Sequence, residues 1–324
     1  MKAVVCGSYG PPEVLHVKEV PAPEPGPDEV RIEVAAAEAT KADCEMRSFR
    51  PPVYWYWVPL RLVFGITRPR RPILGAYFSG TVDALGKHVR GLSVGDEVFG
   101  SAGLHMGAYG RYVCLPAKST IVPKPHNMSF EEAAAVPLGG LNALHFMRLA
   151  NVRPGDHVLV NGAGGSIGAF GVQIAKAMGA EVTGVDAPHK HTMVSELGAD
   201  HFIDYTQEDF TRGGPVYDVI FDMVVRSSYR GCIQALKPGG RYLIGNPRLS
   251  DMVRSKLTNR SGAKRVSFAF AKETREELNA LKDMIERGEI RVALDRIVTP
   301  EQAPEAHRRV ETEARSGAVV ISFA

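Results

Sequence analysis

The stretch Asn161-Gly162-Ala163-Gly164-Gly165-Ser166-Ile167-Gly168 separates a predicted strand, His157–Val160, from a predicted helix. In that helix, apolar residues recur at helical spacing, at Ile167, Phe170, Ile174 and Met178. Backbone without side chains can approach a pyrophosphate closely, and the amides at the start of a helix stabilise its negative charge. Read strictly, the register is A-x-G-x-x-G from Ala163 to Gly168. Between a strand and a helix, this register predicts a dinucleotide-binding turn.

The next predicted strand ends in a carboxylate, as expected of a dinucleotide-binding unit. Asp186 follows Gly165 by 21 residues and can accept hydrogen bonds from an adenosine ribose. Strands and helices then keep alternating, which predicts a parallel, doubly wound sheet. Its ligand should lie beyond the first and fourth strands, beside Gly162 and Asp222-Met223-Val224. The six predicted strands are His157–Val160, Val182–Val185, His201–Ile203, Asp218–Phe221, Arg241–Ile244 and Val266–Phe270.

The two ends of the chain read differently from this α/β region. From Met1 to about Pro123, short strands are separated by Gly and Pro, which is typical of a barrel or sandwich. The tail contains a predicted helix, Arg275–Arg287, and a last strand, Ala318–Phe323, for which we expect no parallel neighbour. We therefore expect the tail to join the N-terminal β domain, giving a discontinuous domain of residues 1–123 and 272–324 around a Rossmann domain of residues 124–271.

Composition narrows the class of protein. A chain of 324 residues favours two domains, and its formal net charge of +3 does not favour nucleic acid as a partner. The four cysteines are scattered and form no C-x-x-C pair, so neither a zinc ribbon nor a disulfide framework is indicated. The first residues lack the apolar run of a signal peptide. We expect a cytoplasmic protein that acts on a small molecule.

Several stretches along most of the chain resemble one family. They are Pro72–Gly80, Ser129–Leu138, the Asn161–Gly168 turn, Leu236–Arg241 and Gly317–Ile321. Together they resemble the medium-chain dehydrogenase/reductase superfamily, and specifically its zinc-free branch of quinone-oxidoreductase-like and enone-reductase proteins. The resemblance implies a GroES-like β-barrel domain beside a Rossmann domain, NAD(P)H as hydride donor, and commonly a homodimer built through sheet edges.

The zinc ligands of other members of this superfamily are missing. Thr40 stands where the first Cys would be, Gly75-Ala76-Tyr77 replaces Gly-His-Glu, and Leu138-Gly139-Gly140 lies near the third position. We therefore expect no protein-held catalytic zinc. Without a Lewis acid, reducing a C=C bond conjugated to a carbonyl is easier than interconverting alcohols and carbonyls. The expected activity is hydride transfer to an enone or a quinone.

The resemblance also implies the residues of the site. Tyr77 and Thr40 are the catalytic candidates, although a buried tyrosine that only satisfies its hydroxyl is the alternative for Tyr77. An aromatic stretch, Tyr54–Phe64, is either a packed segment or a hydrophobic lid over the substrate. The candidate substrate residues are Tyr54, Tyr56, Trp57 and Asn142. The candidate coenzyme residues are Ala163, Gly164, Gly165, Ser166, Ile167, Asp186, Lys190, Tyr205, Gly245 and Asn246.

Asp186 and Lys190 favour different coenzymes. Asp186 would hydrogen-bond a free 2′-hydroxyl and repel a 2′-phosphate, which favours NADH. Lys190 and Tyr205 match positions that contact the adenosine end in relatives, and a lysine there favours NADPH. We favour NADH, because the carboxylate should lie nearer the ribose. Two other functions stay open: a carbonyl reductase or alcohol dehydrogenase, and a non-catalytic NAD(P)H-binding protein.

Overall fold

A computed structural model describes residues 1–50, 61–62, 64–268 and 271–324. These residues form two compact units. The first, here called the β unit, consists of Met1–Leu138, Glu273–Glu286 and Leu294–Ala324. The second, the α/β unit, consists of Gly139–Lys272 and Arg287–Ala293.

The strands are numbered in chain order across both units. They are β1 (Lys2–Cys6), β2 (Leu15–Glu19), β3 (Glu29–Ala39), β4 (Tyr77–Leu85), β5 (Glu97–Ser101), β6 (Tyr112–Pro116), β7 (Thr120–Pro123), β8 (His157–Asn161), β9 (Glu181–Asp186), β10 (His201–Asp204), β11 (Tyr217–Asp222), β12 (Leu236–Ile244), β13 (Arg265–Ser267), β14 (Leu294–Val298) and β15 (Ala318–Ser322).

The helices are numbered in the same way. They are α1 (Lys41–Ser48), α2 (Phe130–Ala134), α3 (Val136–Ala150), α4 (Ser166–Ala177), α5 (His191–Glu196), α6 (Tyr229–Ala235), α7 (Leu249–Ser261), α8 (Arg275–Glu286) and α9 (Ala303–Glu311). Among the described residues, no helix is both long and apolar enough to cross a membrane.

The α/β unit is built on a six-stranded sheet in which every pairing is parallel, in the order β10-β9-β8-β11-β12-β13. The strand order reverses between β8 and β11, so the predicted doubly wound sheet is confirmed. Apolar side chains of both strands, such as Leu159 and Phe221, are fully buried. The sixth strand ends at Ser267, and the predicted continuation to Phe270 runs into residues 269–270, outside the described residues.

Helix α4 packs closely on this sheet because its inner face is small or apolar. Phe170 and Ile174 are buried, as the periodicity predicts. A Cβ atom on Gly171 would lie 3.1 Å from the ring of Phe221, so the helix backbone approaches β11 there. The start of α4 is thereby held at the carboxyl edge of the sheet, where β8 ends.

The β unit contains a seven-stranded sheet in the order β14-β15-β3-β4-β5-β7, with β6 also paired to β3. The last strand, β15, runs antiparallel to β3, which confirms that the tail joins the N-terminal β domain. The expectation that this strand has no parallel neighbour is wrong, because β14 runs parallel to it. Two residues of β14, Arg296 and Ile297, are exposed, so the strand lacks the apolar pattern by which buried strands are recognised.

Candidate active site

The glycine turn connects β8 to α4 with the geometry of an anion-binding turn. Gly162 has a φ of 87°, a left-handed conformation that favours glycine. A Cβ atom on Gly168 would lie 2.0 Å from the Gly162 carbonyl oxygen, so only glycine lets the helix pack against the turn. A Cβ atom on Gly165, the N-cap of α4, would meet only that carbonyl oxygen, at 3.6 Å. The space in front of Gly165 is therefore open.

The carboxylate predicted at the ribose end is held by backbone amides and by a lysine. The two oxygens of Asp186 accept hydrogen bonds from the Gly164 amide at 2.7 Å and the Ala187 amide at 2.8 Å. The Lys190 ammonium lies 3.2 Å from the Asp186 carboxylate. Asp186 is 7% exposed and Lys190 is 3% exposed. The lysine thus compensates the negative charge of the Asp186 carboxylate.

The other predicted coenzyme residues come directly after strands of the same sheet. Tyr205 comes directly after β10, its side chain is exposed, and its amide lies 3.4 Å from the Asp186 carbonyl oxygen. Gly245 and Asn246 come directly after β12, and the Gly245 amide donates to the Asp222 carbonyl at 2.9 Å. The parallel sheet therefore brings these residues, the glycine turn and Asp186 to one edge.

Asp222, at the end of β11, has its buried carboxylate surrounded by donors. The carboxylate accepts hydrogen bonds from the Asn161 amide group at 2.9 Å, the Ser227 hydroxyl at 2.9 Å and the Val224 backbone amide at 3.0 Å. The Tyr242 hydroxyl donates to the other oxygen at 2.7 Å. Burial raises the pKa of Asp222, and the four hydrogen bonds oppose that rise.

Thr40, in the β unit, is the N-cap of α1. Its hydroxyl donates to the Asp43 carboxylate at 2.6 Å and accepts from the Asp43 amide at 3.0 Å, which makes a capping box. The other Asp43 oxygen accepts from the Gly75 amide at 3.0 Å. Burial raises the pKa of Asp43, and its hydrogen bonds oppose the rise. The Thr40 hydroxyl proton is therefore directed at a carboxylate.

Tyr77, the first residue of β4, is also bound to a carboxylate. Its hydroxyl donates to Glu273 at 2.7 Å, and the Ser101 hydroxyl donates to the other Glu273 oxygen. Thr120 fixes the same residue by donating to its backbone carbonyl at 2.6 Å. The pKa of Tyr77 lies well above its ordinary value because the side chain is buried and because Glu273 is close. In this arrangement Tyr77 is a poor acid.

The remaining predicted substrate residues are less completely described. Asn142 lies on α3 and is half-buried. Tyr54, Tyr56 and Trp57 lie outside the described residues.

Two carboxylates next to the catalytic candidates are not predicted from the sequence. Asp43 had a usable signal, because Thr40 and Asp43 have the spacing of a capping box at the start of a helix. Glu273 had none: it is 196 residues from Tyr77 along the chain, and only the folding of the tail onto the β unit brings the two together.

Both units match known families. Residues 26–126 match the family described as "Alcohol dehydrogenase GroES-like domain", and residues 197–321 match the family described as "Zinc-binding dehydrogenase". The matches cover most of the β unit and the carboxyl-terminal part of the α/β unit. They identify the β unit as a GroES-like domain.

Whole-chain relatives agree with these matches. A quinone oxidoreductase from Pseudomonas aeruginosa is 30% identical over 99% of both chains. The solved quinone oxidoreductase from Coxiella burnetii superposes with a TM-score of 0.88 and 29% identity, over 100% of this chain and 99% of that one. A solved NAD-dependent alcohol dehydrogenase superposes with a TM-score of 0.85 and 30% identity over 100% of both chains. The chain therefore belongs to the quinone-oxidoreductase-like branch of the medium-chain dehydrogenase/reductase superfamily and is an NAD(P)H-dependent oxidoreductase.

Proposed function

We propose that this oxidoreductase reduces an activated C=C bond of an enone, or a quinone, without a protein-bound zinc ion. The observation that carries the proposal is that Thr40 stands where the first zinc-ligating Cys is expected, and Ala76-Tyr77 where the His-Glu pair is expected. The hydroxyls of Thr40 and Tyr77 are bound to carboxylates. Hydride addition to the β-carbon of an enone spreads negative charge over a conjugated system, so it depends less on a Lewis acid than reduction of an isolated carbonyl.

The donor set around these positions does not fit a zinc centre. Cys44, the nearest thiol along the chain, is buried with its Sγ 3.5 Å from the His307 carbonyl oxygen, and burial raises its pKa. A cysteine binds zinc as the thiolate, so a buried thiol of raised pKa is a poor zinc ligand. Within the described ranges, no group of three or more His, Cys, Asp or Glu side chains is arranged to hold a metal ion.

The carboxyl edge of the α/β unit fits the coenzyme. We propose that the α4 start binds the pyrophosphate, that Asp186 and Lys190 meet the adenosine ribose beside Tyr205, and that Gly245 and Asn246 meet the nicotinamide. When bound, the reduced nicotinamide supplies the hydride. The residues proposed for the pyrophosphate are Ala163, Gly164, Gly165, Ser166 and Ile167.

The β unit supplies two hydroxyls that we propose for the substrate side. Thr40 and Tyr77 are the candidates for stabilising the enolate that develops, with a buried tyrosine that only satisfies its hydroxyl as the alternative for Tyr77. The candidates for substrate contacts are Tyr54, Tyr56 and Trp57, together with Asn142 of the α/β unit. Because the Tyr77 and Thr40 hydroxyls donate to Glu273 and Asp43, either would act only after exchanging that acceptor for a substrate oxygen.

A substrate panel tests the reaction. Purified protein is assayed with enones, quinones and aldehydes, with NADH and NADPH, and with and without a chelator. We expect turnover of enones or quinones that the chelator leaves unchanged. A deuterated coenzyme should label the β-carbon of an enone product. Label on a carbinol carbon would instead support a carbonyl reductase, the second candidate, which the similarity to an NAD-dependent alcohol dehydrogenase favours.

The coenzyme preference follows from the same panel. We propose NADH, because Asp186 stands at the end of β9 where a 2′-phosphate would meet its carboxylate. The ammonium of Lys190, 3.2 Å away, weakens this discrimination, so we expect a small ratio between the two Michaelis constants. A preference for NADPH of about a hundredfold or more would contradict the assignment.

We further propose that the protein is a cytoplasmic homodimer. Its four cysteines are free thiols, which suits a reducing compartment. In the described chain, β13 is the last strand of its sheet, and the neighbouring helix α7 exposes Leu249, Val253 and Leu257. A second copy that pairs with β13 would cover this apolar stripe. Light scattering should give twice the mass of the chain, and Val253→Glu should shift it towards the monomer.

The same proposal assigns a separate role to each unit. We propose that the β unit is the substrate domain and the α/β unit the dinucleotide-binding domain. The boundaries between them lie at Leu138/Gly139 and Lys272/Glu273, with a short return at Arg287–Ala293.

A further inference from the structure

The Asp222 carboxylate connects the ends of three neighbouring strands. Asn161 is the last residue of β8, Asp222 is the last residue of β11, and Tyr242 lies near the end of β12. The side chains of Asn161 and Tyr242 both donate to Asp222, at 2.9 and 2.7 Å. The strand ends are thus joined by side-chain hydrogen bonds as well as by the sheet.

The same carboxylate holds the segment that follows β11, Met223–Ser228. The Val224 amide and the Ser227 hydroxyl both donate to the Asp222 oxygen that Asn161 contacts. The Ser227 hydroxyl is also 2.9 Å from the Val224 carbonyl oxygen. Asp222 therefore sets the conformation of its own loop.

This loop borders the glycine turn. The Met223 amide donates to the Asn161 carbonyl at 3.1 Å. A Cβ atom on Gly162 would lie 3.5 Å from both the Met223 Cβ and a Val224 methyl group. Met223 also lies close to Gly245, where an added Cβ would be 2.5 Å from its sulfur. The Val224 side chain is 43% exposed, so the loop presents an apolar residue at the edge where the nicotinamide is proposed.

We infer that Asp222 is a positioning residue for the coenzyme, which acts by holding Val224 and Met223 against the Gly162 turn and Gly245. The inference rests on the proposed binding of the coenzyme at this edge. Asp222 does not need to touch the coenzyme: its carboxylate is buried and all four of its hydrogen bonds are made within the protein.

Both carboxylate oxygens of Asp222 have to accept hydrogen bonds in this arrangement. Three donors meet one oxygen and the Tyr242 hydroxyl meets the other, so the ionised carboxylate satisfies all four. An asparagine can keep the oxygen that receives three donors and turn its amide group towards Tyr242. Asp222→Asn should therefore keep the loop largely in place, whereas Asp222→Ala should release it.

The experiment compares variants of Asp222 and Asp218, which lie at opposite ends of strand β11. Asp218, at the other end of β11, accepts the His157 amide at 2.9 Å and the Lys237 ammonium at 2.7 Å, so Asp218→Ala removes two carboxylate hydrogen bonds from the same strand away from the carboxyl edge. Ser227→Ala removes a single bond to Asp222 from a half-buried side chain and keeps the test valid if Asp222→Ala does not fold. Equilibrium dissociation constants for NADH and NADPH are measured by fluorescence, and unfolding by urea, for each variant.

We expect Asp222→Ala to weaken coenzyme binding about tenfold or more, Ser227→Ala about threefold, and Asp222→Asn less than Asp222→Ala. Asp218→Ala should lower stability yet keep the dissociation constant within about twofold of wild type. Unchanged binding in both Asp222→Ala and Ser227→Ala would overturn the inference while leaving the proposed function intact. Equal weakening by Asp218→Ala would also overturn it. A wild-type protein that binds neither coenzyme would contradict the proposed function itself.

Discussion

Tyr77 and Glu273 form a partly buried hydrogen bond that limits what either residue can do. A tyrosine whose proton is donated to a carboxylate, and whose pKa is raised by burial, does not release that proton readily. Ser101 and Thr120 hold Glu273 from two further sides. At the residue scale, the geometry makes Tyr77 an anchor for the start of the tail.

Replacing Tyr77 with phenylalanine tests this anchoring role. We expect the free energy of unfolding to fall by about 1–2 kcal/mol, because the half-buried Glu273 carboxylate loses one donor. The loss in kcat/KM with an enone should stay below about tenfold, whereas a proton donor would cost about a hundredfold or more. Urea unfolding and steady-state kinetics measure the two quantities.

Tyr217→Phe is the matched control. Tyr217 and Tyr77 are both 8% exposed, but Tyr217 hydrogen-bonds the neutral side chain of Thr183. Tyr217→Phe should therefore lower the free energy of unfolding by less than Tyr77→Phe does. A fall in kcat/KM of more than about a hundredfold in Tyr77→Phe alone would make Tyr77 the proton donor and contradict the anchoring role.

The turn between β8 and α4 uses glycines for two different reasons, and at the scale of this element they can be separated. Gly168 lets the helix pack on the turn, since a Cβ there would meet backbone at 2.0 Å. Gly165 has an ordinary extended conformation, φ −89° and ψ 169°, and faces open space. One glycine is required by packing, and the other leaves room for a ligand.

Alanine substitutions should therefore give opposite results at the two positions. Gly168→Ala should lower the free energy of unfolding by about 2 kcal/mol or more, because the backbone has to move. Gly165→Ala should leave stability unchanged or raise it by up to about 1 kcal/mol, yet weaken coenzyme binding about tenfold. Thermal unfolding and fluorescence titration measure both. Unaltered coenzyme binding in Gly165→Ala would contradict pyrophosphate binding at this turn.

For the molecule as a whole, the buried His307 and the half-buried Glu45 of the β unit make stability depend on pH with opposite signs. Burial and the nearby Arg47 charge lower the pKa of His307 from 6.5 to about 3. The unfolded chain therefore binds the extra proton between these values, and stability falls as pH falls from 6.5 towards 3. Burial raises the pKa of Glu45 from 4.5 to about 7, so the folded chain binds the extra proton there. The contribution of Glu45 to stability therefore falls as pH rises from 4.5 to 7.

Single variants should reveal the two contributions. Free energies of unfolding are measured in urea between pH 4.5 and 6.5 for wild type, His307→Gln and Glu45→Gln. The difference between wild type and His307→Gln should rise with pH by up to about 1.4 kcal/mol per unit. The difference between wild type and Glu45→Gln should fall over the same range. Parallel curves for all three proteins would show that neither group is buried as described.

Local patterns predicted most of the α/β unit. The five strands β8 to β12 all lie where the apolar runs put them. In the β unit, the helix Arg275–Glu286 ends within one residue of its prediction. These elements depend on residues that are neighbours along the chain. Strand β14 was not predicted, because an edge strand with exposed charged residues has no apolar alternation to mark it.

The family and the glycine turn follow from the sequence alone, because a phosphate-binding turn depends on consecutive residues whose spacing is visible in the chain. The nearness of Asp186 and Lys190 follows in the same way, since they are four residues apart. The tertiary structure was needed to show that Tyr77 donates to Glu273 and that Asn161 and Tyr242 donate to Asp222. These partners come from distant strands and segments, and burial limits the water that would otherwise compete for their hydrogen bonds.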